Sequence, residues 1–233
     1  MFKNREQAGQ LLGQKVQEIM SALPDFQPER TVVVALPRGG VPVAKAVSAA
    51  LRCQLTILVS KKIGAPFQPE LAIGAVTSSG EVVLNDRLGF VLKGMKPYVD
   101  AQRKRLMRET KILEKHWLEA AGLSDSLSLK GKRTVLVDDG VATGMTTLAA
   151  IRSLKAAGAT EVILATPVIP EEASDRLGKE LNRIIALETP GDFLAIGQFY
   201  DDFHQVEDQE VIDVLKAFTG HGPAVAVQPG AGL

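Results

Sequence analysis

The chain has 233 residues, 45% of them apolar and 23% charged, with a formal net charge of +0 at pH 7. That length suits one domain with a small appendage, the apolar share is enough for a real core, and the neutral balance disfavours bulk nucleic-acid binding. A single cysteine excludes an internal disulfide, three scattered histidines argue against a zinc site, and neither a secretory leader nor an apolar run of ~18 residues is present, so a cytoplasmic protein without a membrane partner is expected.

The first predicted element is an amphipathic helix over 4–22, with Leu11, Leu12, Val16, Ile19 and Met20 at helical spacing and Asn4 as N-cap. After Pro24 and Pro28, the run TVVVAL (31–36) has the continuous β-branched character of a buried parallel strand. A PRGG turn, a helix over 41–52 ending near a structural Cys53, and a strand LTILVS (55–60) complete a β-loop-α-β unit. Residues 61–96 break the pattern with KKIGAPFQPE and a hairpin centred on Ser79-Gly80. A charged helix follows over 97–120, on which Arg103, Lys104 and Arg105 read as a solvated face.

The second half returns to alternation. A strand over 134–139 leads through GVATG into a helix that Gly158 should stop; strands over 161–168 and 183–187 flank a helix over 170–180. Then come an aromatic loop, DFLAIGQFYDDF, a helix at 208–218 and a tail rich in Gly, Pro and Ala, expected to be disordered. Strands alternating with helices predict an α/β fold with a parallel sheet flanked by helices. Ligands of such sheets sit beyond the carboxyl ends of the strands, here the turns at 37–40, 61–66 and 138–147.

The third of these turns carries the strongest chemistry. In VLVDDGVATGMTT (135–147) a buried strand ends in two carboxylates, and small and hydroxyl residues then open a helix. A helix N-terminus offers free N–H groups and partial positive charge, a seat for phosphate. Gly144 allows close backbone approach, and Thr143, Thr146 and Thr147 add hydroxyls. Asp138 and Asp139 repel phosphate but suit a ribose diol or a metal. Neither a G-x-x-x-x-G-K-[ST] loop nor G-x-G-x-x-G is present. At the first turn, Gly39 and Gly40 suggest an anion nest beside the permanent charge of Arg38. At the second, Lys61 and Lys62 follow a strand, and one of them can reach a pyrophosphate.

Residues 135–147 resemble the phosphoribosyl-pyrophosphate signature of type I phosphoribosyltransferases, and LPRGGVPVA with the later IGQFYDDF resembles a bacterial subfamily of predicted phosphoribosyltransferases over most of 5–218. The resemblance implies that Asp138 and Asp139 hold the ribose hydroxyls, that Ala142, Thr143, Gly144, Met145, Thr146 and Thr147 cradle the 5′-phosphate, and that Arg38, Gly39, Gly40 and Lys62 meet the pyrophosphate. Gly140 departs from relatives, which usually carry an aliphatic residue or Ser there. It also implies a non-proline cis peptide near Arg38, a mobile lid within 61–131 (drawn from part of 64–96), and a hood-like segment at 188–205. In that hood Phe193, Phe199 and Tyr200 are candidates to stack on a nucleobase, and Asp201 joins Asp138 and Asp139 as a candidate for Mg²⁺. The chain is thus read as one domain over 1–219 with a tail at 220–233, commonly a homodimer among relatives.

The reaction implied is displacement of pyrophosphate from C1 of 5-phosphoribosyl 1-pyrophosphate by a nitrogenous acceptor, with Mg²⁺. Transferases for 6-oxopurines carry an Asp where this chain has Ala142, which argues against hypoxanthine or guanine as acceptor. The rival from another class is a phosphoribosyl-pyrophosphate sensor without transferase activity; a hydrolase is a third reading.

Overall fold

The computed structural model describes residues 1–85, 94–123 and 128–218. Five parallel strands form the central sheet: β1 (Thr31–Ala35), β2 (Gln54–Ile57), β6 (Arg133–Val137), β7 (Glu161–Val168) and β8 (Arg183–Glu188), in the order β2-β1-β6-β7-β8. β1 lies inside the sheet between β2 and β6, and all five of its residues are buried, as a strand covered on both faces must be. Its register pairs Val33 with Leu55 on one side and Val135 on the other.

Helices cover both faces. On one lie α1 (Arg5–Ser21), α2 (Gly40–Leu51), the end of α3 (Lys96–Ala120) and α6 (Asp208–Ala217); their Leu12, Val16, Val47, Trp117 and Leu215 share a core with β1 and β2. On the other lie α4 (Met145–Ala156) and α5 (Glu171–Gly178), with Leu148, Ile151, Leu154 and Leu177 packed on Val32, Val34 and Leu136. Asn4 caps α1 as expected, its side chain accepting from the Gln7 N–H at 2.9 Å. α1 lies tight on α2 because Gly9 and Gly13 face it: a Cβ on Gly9 would stand 3.0 Å from Val43 Cα, and one on Gly13 3.1 Å from the Ala46 carbonyl.

The expectation for 61–66 needs correction. The segment is not a turn but β3 (Ser60–Ala65), the first strand of a small antiparallel sheet with β4 (Gln68–Thr77) and β5 (Val82–Leu84). The strand read over 55–60 accordingly ends early, at Ile57. The hairpin at Ser79-Gly80 is present, with Gly80 at φ 93°. Ile63, Ile73 and Val76 pack on Val99 and Leu106 of α3. A polar seam joins this sheet to the rest. Glu114 of α3 accepts from the Val59 N–H at 2.7 Å and from the Ser78 hydroxyl at 2.5 Å, and burial pushes its carboxyl above the usual range. Beside it, Thr77 and Ser79 hydrogen-bond Ser153 of α4.

Other readings fell on the observed elements with small shifts. β6 stops at Val137, so both acids stand just past the strand end. Cys53 is buried, and burial raises its thiol pKa to about 12. Arg103, Lys104 and Arg105 are exposed. Part of the segment expected to hold a lid (86–93) and the whole tail (220–233) lie outside the described residues. No helix among the described residues is long and apolar enough to cross a membrane.

Candidate active site

Beyond the carboxyl end of β6 lies a cavity of about 200 Å³, lined by Lys62, Ala72, every residue from Asp138 to Thr147, and Ile196. Its floor is the loop between β6 and α4. Gly144 sits at φ 65°, the left-handed region that favours glycine, and immediately precedes Met145, the first residue of α4. The N–H groups of residues 145–147 therefore belong to a helix's first turn, where no intrahelical acceptor exists. Ala142 and Thr143 are exposed at the crest; Met145 and Thr147 turn their side chains into the core, leaving them only the backbone to offer a ligand.

The two acids, adjacent in sequence, have different surroundings. Asp138 is half-buried on the cavity wall, and burial together with the charge of Asp139 holds its pKa well above the ordinary carboxylate range. Asp139 is 7% exposed, and its Oδ2 accepts from Arg5 Nε at 2.6 Å. Its own N–H donates to Asp138 Oδ1 at 2.9 Å, and its carbonyl accepts from the Tyr200 hydroxyl at 2.6 Å. So both acids line the cavity, Asp138 the more exposed of the two and Asp139 clamped by Arg5.

The first turn is built for packing more than for anion capture. The cis peptide is present, at Pro37-Arg38. Yet a Cβ on Gly39 would fall 2.0 Å from Asp139 Oδ2, and one on Gly40 2.8 Å from the Val137 carbonyl. Of the two N–H groups expected to form an anion nest, that of Gly40 is donated to the Leu36 carbonyl at 3.1 Å. Arg38 Nε pairs with Asp208 at the start of α6, at 2.9 Å, instead of lining the cavity. The two lysines separate: Lys62 lines the cavity, whereas Lys61 is drawn to Glu109 at 3.0 Å. Alternation along β3 puts neighbours on opposite faces, which is why only one can take part.

The aromatic loop is only partly as expected. Tyr200 cannot offer a stacking face: it is buried between Phe2 and Phe203, with centroids 5.4 and 5.0 Å away. Its hydroxyl pKa is raised by that burial. Phe193 and Phe199 are half-buried and stacked on each other at 5.7 Å. Neither lines the cavity; Ile196 does, and a Cβ on Gly140 would meet its Cγ2 at 2.5 Å. Glycine at 140 is thus what lets Ile196 descend. Asp201 is exposed, with its N–H bonded to the Phe2 carbonyl, and among the described residues no group of three or more His, Cys, Asp or Glu could hold a metal. Asp138 beside the loop does fit an ion such as Mg²⁺, which keeps several waters and takes one or two carboxylates plus phosphate oxygens of a ligand.

Sequence reasoning missed Arg5, Ala72 and Ile196. Arg5 carried one signal: a basic residue in a helix's first turn opposes the helix dipole, so it needs a partner elsewhere.

A model of the phosphoribosyl transferase domain matches residues 4–204. Two Mycobacterium tuberculosis proteins, from different strains and provisionally named phosphoribosyl transferases, are 38% identical over 221 residues, 92% of this chain. The chain spans about half (46%) of the length of those relatives. A Thermus thermophilus protein of known structure is 34% identical, superposes with a TM-score of 0.76, and is matched over 94% of this chain and 100% of its own.

Proposed function

The chain belongs to the phosphoribosyl transferase family, and from that premise we propose that it transfers the phosphoribosyl group of 5-phosphoribosyl 1-pyrophosphate to a nitrogenous acceptor, releasing pyrophosphate. One observation carries the reading: a helix tip, a carboxylate and a lysine open together on one cavity. These are the complements of a phosphate, a sugar diol and a second anionic group on a single ligand.

In this reading the N–H groups of 145–147 and the exposed Thr143 hydroxyl grip the 5′-phosphate. Asp138, with Asp139 behind it, accepts hydrogen bonds from the ribose hydroxyls. Lys62 neutralises the pyrophosphate, and Arg38 joins it by leaving Asp208, a surface pair that gives up little on opening. The bond from C1 to the pyrophosphate oxygen breaks and a bond from C1 to the acceptor nitrogen forms. As positive charge grows on the sugar, the carboxylates beneath it favour that state over the ground state. Asp138 would be the residue to hold Mg²⁺, which would supply charge neutralisation on the pyrophosphate.

Ala142 stands exposed at the loop crest with no group to donate or accept a proton, which supports an acceptor other than a 6-oxopurine. The acceptor side is bounded by aliphatic Ile196. A single domain over 1–219, working as a homodimer in the cytoplasm, completes the proposal.

The experiment is to incubate the protein with Mg²⁺ and 5-phosphoribosyl 1-pyrophosphate across a panel of nucleobases and other nitrogen acceptors, following pyrophosphate. Release that depends on an acceptor is the expected result. Release without one marks a hydrolase, and tight binding with no release marks a sensor; either outcome defeats the transferase reading.

A further inference from the structure

Arg5 is a buried arginine whose side chain bonds to Asp139 of the cavity and to the backbone of the segment after β8. Its side chain is only 9% exposed. Nε donates to Asp139 Oδ2 and Nη1 to the His204 carbonyl, each at 2.6 Å. Its guanidinium carbon lies 3.8 Å from the centre of the Phe203 ring. One planar group thereby joins three elements: the start of α1, the end of β6 and the aromatic segment after β8.

The surroundings make that join rigid. Gly9 and Gly13 seat α1 on α2, so the first turn of α1 has a fixed place relative to the turn at 37–40. Phe2 donates to the Phe199 carbonyl and accepts from the Asp201 N–H, and Asp202 donates to the Lys3 carbonyl. The backbone before α1 is thus stitched along the segment that Arg5 also holds. Gly39 closes the lid on Asp139, because no side chain there would leave room for the carboxylate.

We propose that Arg5 is a positioning residue for sugar recognition: by holding Asp139 Oδ2 from below, it sets where the acid pair meets the ribose hydroxyls and ties that setting to the acceptor-side segment. The inference rests on the phosphoribosyl reading of the cavity. A planar guanidinium is suited to this task, since its Nε meets Asp139 Oδ2 while its Nη1 meets the His204 carbonyl, which fixes an angle as well as a charge. Arg5 itself touches neither sugar nor leaving group.

The test separates sugar recognition from phosphate recognition. Binding of inorganic phosphate, ribose 5-phosphate, and its 2-deoxy and 3-deoxy analogues is measured for wild type and Arg5→Ala by calorimetry, with folding followed by thermal melting. The wild type should prefer ribose 5-phosphate over at least one deoxy analogue by about tenfold or more, the scale of a hydrogen bond to a charged group. In Arg5→Ala that preference should fall below about threefold while phosphate affinity stays within about twofold, because the helix tip at 145–147 is untouched. A preference that survives, or a parallel loss for all four ligands, overturns the proposal. If Arg5→Ala does not fold, Arg5→Lys decides: a folded variant whose preference drops by at least about threefold supports it, and an undiminished preference overturns it. A wild type that binds neither phosphate nor ribose 5-phosphate defeats the phosphoribosyl reading itself, a distinct result.

Discussion

The two glycine-bearing turns at the carboxyl edge of the sheet use glycine for opposite ends. In the loop at 138–147, Gly144 takes a left-handed conformation immediately before α4, whose first residues line the cavity. In the turn at 37–40, Gly39 and Gly40 are ordinary in conformation, and their missing side chains make room for Asp139 and for the end of β6. The first arrangement leaves a helix start on the cavity wall; the second brings two pieces of protein together. A Gly-Gly pair next to an arginine therefore does not by itself mark an anion site.

The largest effect that would sharpen this contrast is on turnover. Asp138→Asn should lower kcat by about 10²–10³, as loss of a preorganised electrostatic partner does. The same change should leave the protein as stable or up to about 1 kcal/mol more stable, since it removes a carboxylate disfavoured by burial and by Asp139. The pH dependence follows with opposite signs for activity and stability. The folded protein binds the Asp138 proton at a higher pH than the unfolded chain does, so this group's contribution to stability falls as pH rises from the unfolded pKa through the raised folded one. Turnover that needs the carboxylate should instead fail as pH drops through that raised value. Both limbs should be present in wild type and absent from Asp138→Asn in paired melting and rate profiles.

Next in size is Gly40→Ala, whose Cβ would meet backbone atoms of Val137 and Asp138 that cannot swing aside. A loss of about 3 kcal/mol in denaturant unfolding is expected, the range for overpacking with a backbone shift. Gly144→Ala should cost less, about 1–2 kcal/mol for the left-handed conformation, but should weaken phosphate binding more than its stability loss suggests. Equal behaviour of the two alanine variants in phosphate titrations would erase the distinction between the turns. Smallest is Arg38→Gln. Its half-exposed pair with Asp208 predicts a stability change below about 1 kcal/mol, with pyrophosphate affinity reduced about tenfold.

The same two turns show what could be read from sequence. TVVVA and VLVDDG were legible because strand burial on both faces and an acid pair before a small-residue loop are local patterns. β3 was not, because SKKIGA holds two lysines and a glycine and gains its strand state from pairing with β4, a contact remote in pattern if not in sequence. Tyr200 misled for a related reason: an aromatic ring in a loop can plug a core or face a ligand, and composition does not distinguish the two. Arg5 lay 134 residues from its partner Asp139, beyond the reach of any periodicity.

Glu114 gives the small sheet a mechanical meaning. The carboxylate accepts from the N–H of Val59 and from the hydroxyl of Ser78, so a single side chain of α3 staples the departure of β3 to the exit of β4. Lys62 hangs on the strand that begins one residue after Val59. The strand that carries Lys62 to the cavity wall is therefore anchored at its root by a half-hidden carboxylate of α3, outside the cavity itself.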